Sequence, residues 1–481
     1  MISIGLSWRE AIPCVALSFV IISIPIVLNG IAGSMYHVPF PVLSRSSWGF
    51  WGSYIPILSR VILAMFWFGI QTYNGAECVQ QMITAIWPSF ERFPNHIPAS
   101  EGITSAALLS FFIFWVIQFP FLLMHPNTLR WLFLAKSIIV PICAIGMLIW
   151  AFKETGGGPI FSQKATLHGS ARAWAFLASM TSTIGNYATL SVNIADFSRY
   201  SRVPHNRQLV QLALPIIFTF LAFIGIAVAS ATQTLYGGPA IWDPAIIISK
   251  WDNRAAKFFA AFAWGLASLG VNISANSVSA ANDLTALFPR FVNIRRGQIL
   301  CAVLGAWALV PWKILESAIS FLNFMAAYAV FLGPIAAIMI VDFWIIHKTK
   351  LDIVAMYHPQ SIYVYSHGVN MRAVVAFIIG VAPNLPGFIQ AVNPKINAHG
   401  GTFLFDIAWL LGFVLTFVTY WVINLIWPAT ETILDKAVLP DDVYLHPERD
   451  WQTDSNGDME KEKSHLGMGM TSVHSVHSVS A

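Results

Sequence analysis

Trp67, Gln71 and Asn74 recur at i, i+4 and i+7 within one apolar stretch, and Glu77 follows Asn74 by three residues. That spacing puts the first three on one face of a helix. The indole offers a flat π surface, and the amide beside it offers a donor and an acceptor. Together they suit stacking on, and hydrogen bonding to, a planar polar ring. Amides that bond across a helix interface would explain the same residues, so this stretch alone leaves both readings open. A second stretch, Ser179 to Ser201, reads "SMTSTIGNYATLSVNIADFSRYS". Gly185 and Asn186 near its middle weaken a continuous helix, with Tyr187 beside them. The stretch therefore reads as a broken helix whose freed amides and carbonyls could ligate a substrate or ion. Asp196 and Arg199 at its end read as a structural or gating pair. A third stretch carries Asn272, Asn276 and Ser279 at i, i+4 and i+7, with Asp283 continuing the face. Three polar stripes in separate segments predict one central polar binding site.

The elements that carry these stripes must lie in a membrane. Only 10% of the 481 residues are charged and 56% are hydrophobic, against about 25% charged in soluble domains. Apolar runs of spanning length recur along most of the chain, continuous rather than alternating, which predicts an all-α polytopic membrane protein and excludes a β-barrel. Eleven spans are expected, near 11–30, 55–83, 103–124, 130–152, 172–196, 208–232, 256–288, 298–314, 317–346, 371–391 and 403–427. The break after the eighth is the weakest. Lys136, inside the run at 130–152, is expected to face protein or to snorkel. The net charge of +4 gives no reason to expect a nucleic-acid partner. Cys14, Cys78, Cys143 and Cys301 all fall in apolar runs and read as small buried residues, not as a disulfide framework or metal site. No cofactor or metal is expected. Nothing in the sequence specifies an oligomeric state.

Three basic clusters, Arg199/Arg202/Arg207, Arg290/Arg295/Arg296 and Lys348/Lys350/Arg372, alternate by two spans and so share one side. The positive-inside rule makes that side cytoplasmic. A transporter domain is therefore expected over 1–430, and a cytoplasmic, disordered polar tail over 431–481. The tail's "SVHSVHSVS" reads as solvated low-complexity sequence. Enzyme motifs are lacking: there is no HExxH and no GxSxG, and the HxxxxD spacing from His347 to Asp352 has no surrounding constellation.

"FWFGIQTYNGAECV", "GNYATLSVNIADFSRYS", "NISANSVSAANDLTALFPRFVNIRRGQ" and "GPIAAIMIVDFWIIHK" together resemble nucleobase–cation–symport family 1, specifically its fungal uracil/allantoin/uridine/thiamine permease branch. The resemblance implies an inverted-repeat fold of the sodium-coupled amino-acid transporter type. It also implies alternating-access import of a small heterocycle or ureide, uracil or allantoin first and uridine or thiamine next. It puts Trp67 and Gln71 at the stacking and hydrogen-bonding positions. Asn186 and Tyr187 fall on a broken helix, and Asn276 falls where an amide meets the substrate's polar edge. Asn74, Asn272, Phe324 and Met325 are expected at the cavity or outer gate. Against the family's pattern of twelve helices, the chain starts where the second begins, so about eleven of twelve are expected here, with a non-transporting product as the alternative. The family's sodium-coupled members place cation-ligating hydroxyls where this chain has Gly270 and Val271. Proton coupling is therefore expected, with Glu77 and Asp283 as carrier candidates.

Overall fold

A computed structural model describes residues 1–124, 126–156, 159–162, 164–201 and 206–440. The polar sequence from 441 onward, which is most of the tail expected over 431–481 and includes its His-containing repeat, lies outside the described residues; of the part that is described, Thr432 is buried. The chain falls into a unit over Met1–Ala437 and a second over Val438–Ala481. The first unit holds every element discussed here.

Among the described residues, nine helices are long and apolar enough to cross a membrane. Two more complete the expected eleven. α6 (Gly169–Asn193) has the length but not the hydropathy, because Ser179, Thr181, Ser182, Ser191 and Asn193 are buried along it. α12 (Ile294–Trp307), at 14 residues, spans about 21 Å, short of a bilayer core of about 30 Å. It is followed by the single turn α13 (Pro311–Ile314). The chain then restarts at Ser317, whose hydroxyl caps α14 (Ala318–Ile340) by accepting from Ser320 N at 3.0 Å.

Burial sorts the helices into layers. The apolar window that includes α14 is 78% buried, so this helix runs through the centre. The windows of α5 (Pro126–Glu154) and α8 (Leu214–Tyr236) are only 11% and 17% buried. Their exposed Ile138, Ile142, Ile149, Ile216 and Phe220 suit contact with lipid tails. α1 (Trp8–Tyr36) opens with a capping box between Ser7 and Glu10 and lies parallel to α6. Their contacts keep one sequence offset along the whole length. Cys14 pairs with the Phe176 carbonyl, Asn29 with that of Ser191, and His37 with that of Arg199, each 162 residues apart. Such constancy means that the two helices run alongside without drifting in register.

α6 is a continuous α-helix through Gly185 and Asn186, which corrects the expectation of a broken helix there. The glycine answers a packing need. A Cβ at position 185 would stand 2.4 Å from the Met325 carbonyl oxygen of α14. The Gly185 carbonyl is not freed by unwinding either: it accepts from Tyr328 OH at 2.9 Å. Two helices do depart from α geometry: α14 runs on into a π turn at Val341–Ile346, and another joins α10 (Arg254–Val271) to α11 (Val278–Leu287). Its link, Asn272–Ser277, is a π turn, a feature that recurs at functional sites.

Candidate substrate site

α3 (Tyr54–Ile86) packs along α10 and carries the first polar stripe. Gln71 and Asn74 open into a cavity of about 310 Å³, closed on the far side by Trp264, Ser268 and Val271 of α10. Trp242 and Asp243, just ahead of the short α9 (Pro244–Ser249), line its remaining wall. That volume lies at the lower end of small-ligand sites. A larger void of about 1100 Å³ between α5, α8 and α10 is lined by Ile142, Met147, Trp150 and Phe259. It holds none of the three stripes, so the smaller cavity is the candidate.

Trp67, one turn from Gln71, turns toward α14. Its ring meets Phe321, Phe324 and Tyr328 edge-to-face at 5.9, 6.2 and 6.4 Å between centroids. Its buried Nε1–H lies within reach of the Tyr328 hydroxyl. Met325 is buried, with its backbone against Gly185. The π turn places Asn272 and Asn276 within hydrogen-bond distance, Asn276 Nδ2 donating to Asn272 Oδ1 at 3.0 Å. Asn272 Nδ2 in turn donates to the Phe68 carbonyl of α3 at 3.2 Å. The structure thus gathers Trp67, Gln71, Asn74, Asn272, Asn276 and Phe324 around α3, and of these Gln71 and Asn74 are the ones that line the cavity.

Asn186 and Tyr187 are not among them. Gly185 faces α14, and each helical residue turns 100° further, so Tyr187 points nearly opposite. Its ring lies edge-on against the stacked pair of Phe19 of α1 and Phe218 of α8, at 5.1 and 4.7 Å. Asn186 is exposed.

The carboxyls divide. Asp283 is fully buried and pairs with Arg60 of α3, Nε to Oδ2, at 3.6 Å. A guanidinium only donates, so Asn193 must turn its oxygen to Arg60 Nη2, at 2.9 Å, and its nitrogen to the Thr189 carbonyl, at 2.6 Å. Asp196 accepts from Phe40 N at 3.1 Å, while Arg199 donates to Tyr200 OH at 2.7 Å. Among the described residues Asp196 and Arg199 form no ion pair within 4 Å. Glu77 stands within hydrogen-bonding reach of Asp243. Burial holds the Asp243 carboxyl above the usual carboxylate range, against the pull of Glu77 and the amides of Ala245 and Ile246. His347 and Asp352 do not form a joint site. His347 lies against Asp342 and Thr432, and Asp352 Oδ1 caps Ala355 N at 2.8 Å.

Sequence reasoning missed two participants, Gln118 and Asp243, and did not name the partner of a third, Lys136. Gln118 of α4 (Ser105–Leu123) bonds Asn272 and was readable as the lone amide of an apolar span. Asp243 sits in a loop, outside any stripe. Lys136 of α5 lies against Gly270: a Cβ there would stand 2.7 Å from its Cδ and 3.6 Å from its Nζ.

Residues 1–412 match the family of permeases for cytosine/purines, uracil, thiamine and allantoin. The chain belongs to that family. The permease is 41% identical to an uncharacterised permease of Schizosaccharomyces pombe, over 91% of this chain and 78% of that protein. It is 34% identical to the allantoin permease of Saccharomyces cerevisiae, over 95% of this chain and 75% of the other. Among solved structures it is similar to Mhp1, a nucleobase-cation-symport-1 family transporter, in a closed conformation with bromovinylhydantoin bound. That likeness has a TM-score of 0.67 at 22% identity and covers 89% of this chain and 88% of that one. The permease therefore has the all-α inverted-repeat transporter fold. It is a membrane transporter of small molecules, not an enzyme.

Proposed function

We propose that the permease imports an uncharged nucleobase or ureide, uracil or allantoin first, together with a proton, by alternating access across the plasma membrane. Its C-terminal tail then lies in the cytoplasm, on the side of the basic clusters. The observation that carries the substrate reading is the pair Gln71 and Asn74. Both amides line a cavity of suitable size, with Trp67 one helical turn from Gln71 on α3, and neither makes a hydrogen bond to protein among the described residues. An amide without a protein partner at membrane depth calls for a polar ligand or water. A flat ring with alternating N–H and C=O groups satisfies several amides at once, and Trp67 supplies an apolar face. The bound hydantoin of Mhp1 and the allantoin relative have this chemistry in common.

Two observations support the proton. The Lys136 ammonium group lies against Gly270, at the position where a sodium ligand was expected to be missing. A fixed cation there disfavours a mobile one. Glu77 and Asp243 form a close carboxyl pair, with Asp243 at the cavity wall, whereas Asp283 is matched to Arg60. Two carboxyls in contact hold a shared proton more readily than two charges. Glu77 with Asp243 is thus the better carrier.

The test is labelled uptake in permease-deficient yeast, with uracil, allantoin, uridine, thiamine and purines, with and without a protonophore. Saturable uptake of one of the first two, abolished by protonophore, is expected. Saturable uptake that ignores the protonophore refutes the coupling. Ligand binding without uptake of any compound refutes import.

A further inference from the structure

α4 buries a single amide, Gln118, with no exposed surface. Both of its ends are engaged. Nε2 donates to Thr72 Oγ1 at 3.1 Å, and Oε1 accepts from Asn272 Nδ2 at 2.5 Å. The Thr72 hydroxyl donates to the Phe68 carbonyl at 2.7 Å. Asn272 Nδ2 also lies 3.2 Å from that carbonyl and 3.2 Å from Thr72 Oγ1. Asn276 Nδ2 donates to Asn272 Oδ1 at 3.0 Å. Thr72 and Asn272 are fully buried, and Asn276 is 7% exposed.

This relay has one direction. A backbone carbonyl only accepts, so Phe68 draws the Thr72 hydrogen and the Asn272 nitrogen toward itself. The Thr72 oxygen is then left as an acceptor and takes the Gln118 nitrogen. That turns the Gln118 oxygen to Asn272 and confirms the Asn272 nitrogen on that side. The Asn272 oxygen must face Asn276, and Asn276 must answer with its nitrogen. What remains of Asn276 is its Oδ1, which has no protein partner among the described residues. A flipped Asn276 would set two oxygens against each other in a dry interior, a costly arrangement.

We propose that Gln118 is a positioning residue that acts through Asn272 to hold the Asn276 amide oxygen toward the transported molecule, so that the site selects a ring edge bearing an N–H. The proposal rests on the reading of Asn276 as a substrate contact. Gln118 touches no substrate. It supplies the shortest bond in the relay, from a helix outside the three stripes. Without it the Asn272 nitrogen keeps only its two longer contacts to α3, and both asparagines gain freedom to turn over. Asn276 then offers either polarity, and preference for a donor edge fades while affinity for rings in general is less affected.

The experiment measures inhibition constants in competition for transport. The competitors are uracil and ring-oxygen analogues in which either N–H is replaced by O. The variants are wild type, Gln118→Leu, Gln118→Glu and Asn276→Ala. A net hydrogen bond corresponds to about a threefold to tenfold preference, and wild type is expected to show it against one of the analogues. Gln118→Leu should bring that ratio to within about twofold. Gln118→Glu still accepts from Asn272 and should restore most of it. A purely structural role would lower the maximal rate or the amount of protein and leave the ratio unmoved. If Asn276→Ala leaves the ratio intact, Asn276 is not the contact, and the underlying reading fails with the proposal. If Asn276→Ala erases the ratio while Gln118→Leu preserves it, the contact stands and the relay is overturned. Should Gln118→Leu fail to reach the membrane, Gln118→Met, closer in shape, takes its place with the same expected ratio.

Discussion

Removing Arg60 should damage the permease far more than removing the acid it pairs with. Arg60 is 2% exposed and Asp283 is fully buried, and they meet at 3.6 Å. At an effective dielectric of 20 the attraction at that distance is about 5 kcal/mol. Among the described residues neither Asp283 oxygen accepts a hydrogen bond, however, and Arg60 Nε donates none. Arg60 has other work: its Nη2 donates to the Asn193 oxygen, and its charge acts on the buried Asp196. One guanidinium thus serves two carboxyls. Arg60→Met leaves Asp283 without its cation and Asp196 with Arg199 alone, and stranding buried charge costs about 3–5 kcal/mol. Asp283→Leu removes a carboxyl that takes no hydrogen bond and leaves Arg60 with Asn193 and Asp196. Its cost is expected at about 1 kcal/mol or less, since an apolar replacement offsets much of a buried pair. The double variant should recover part of the Arg60→Met loss, because one stranded acid is gone. The assay is thermal unfolding of detergent-purified protein followed by fluorescence-detected gel filtration. Equal losses from the two single variants, or a double variant no better than Arg60→Met, would refute this reasoning.

Other predictions follow from the same geometry. Gly185→Ala drives a Cβ to 2.4 Å from the Met325 carbonyl, so α6 and α14 must separate, at about 1–3 kcal/mol; a clear drop in Tm on the same assay checks it, and an unchanged Tm contradicts it. Burial raises Asp406 to about 6, whereas an unfolded aspartate titrates near 4. The folded form then binds more protons in that window, so stability falls as pH rises from about 4 to 6. Asp406→Asn should flatten that profile, as melting curves across the range would show. Glu77→Gln is expected to leave substrate binding within a few-fold and to abolish pH-dependent uptake; retained pH dependence excludes Glu77 as the carrier.

Much of this permease was legible in its sequence where a feature is local. Span length and hydropathy located the helices, and the two that fall short of span criteria do so for readable reasons: buried hydroxyls and an amide in α6, and 14 residues in α12. The i, i+4, i+7 rule placed Gln71 and Asn74 together because α3 is unbroken through them. It likewise placed Asn272 with Asn276, and the π turn between them keeps the two amides in hydrogen-bond contact. What failed depends on neighbours. Gly185 reads as a helix weakness in isolation, but the reason for it is the Met325 carbonyl on another helix. Tyr187 follows Gly185 by two residues and so points to the opposite side from α14, which no local pattern reveals without knowing where α14 lies. Gln118, Asp243 and Lys136 acquire meaning only from Asn272, Glu77 and Gly270, each far away along the chain.

The central claim is that Gln71 and Asn74 hold a nucleobase or ureide in the cavity between α3 and α10. Its most direct measurement is saturable uptake of labelled uracil and allantoin in permease-deficient yeast by wild type, Gln71→Ala and Asn74→Ala, with surface amounts matched. The account predicts uptake of one of the two by wild type, with KM raised about tenfold or more in Gln71→Ala and by a smaller factor in Asn74→Ala. Wild-type uptake with KM unchanged in both variants would contradict it.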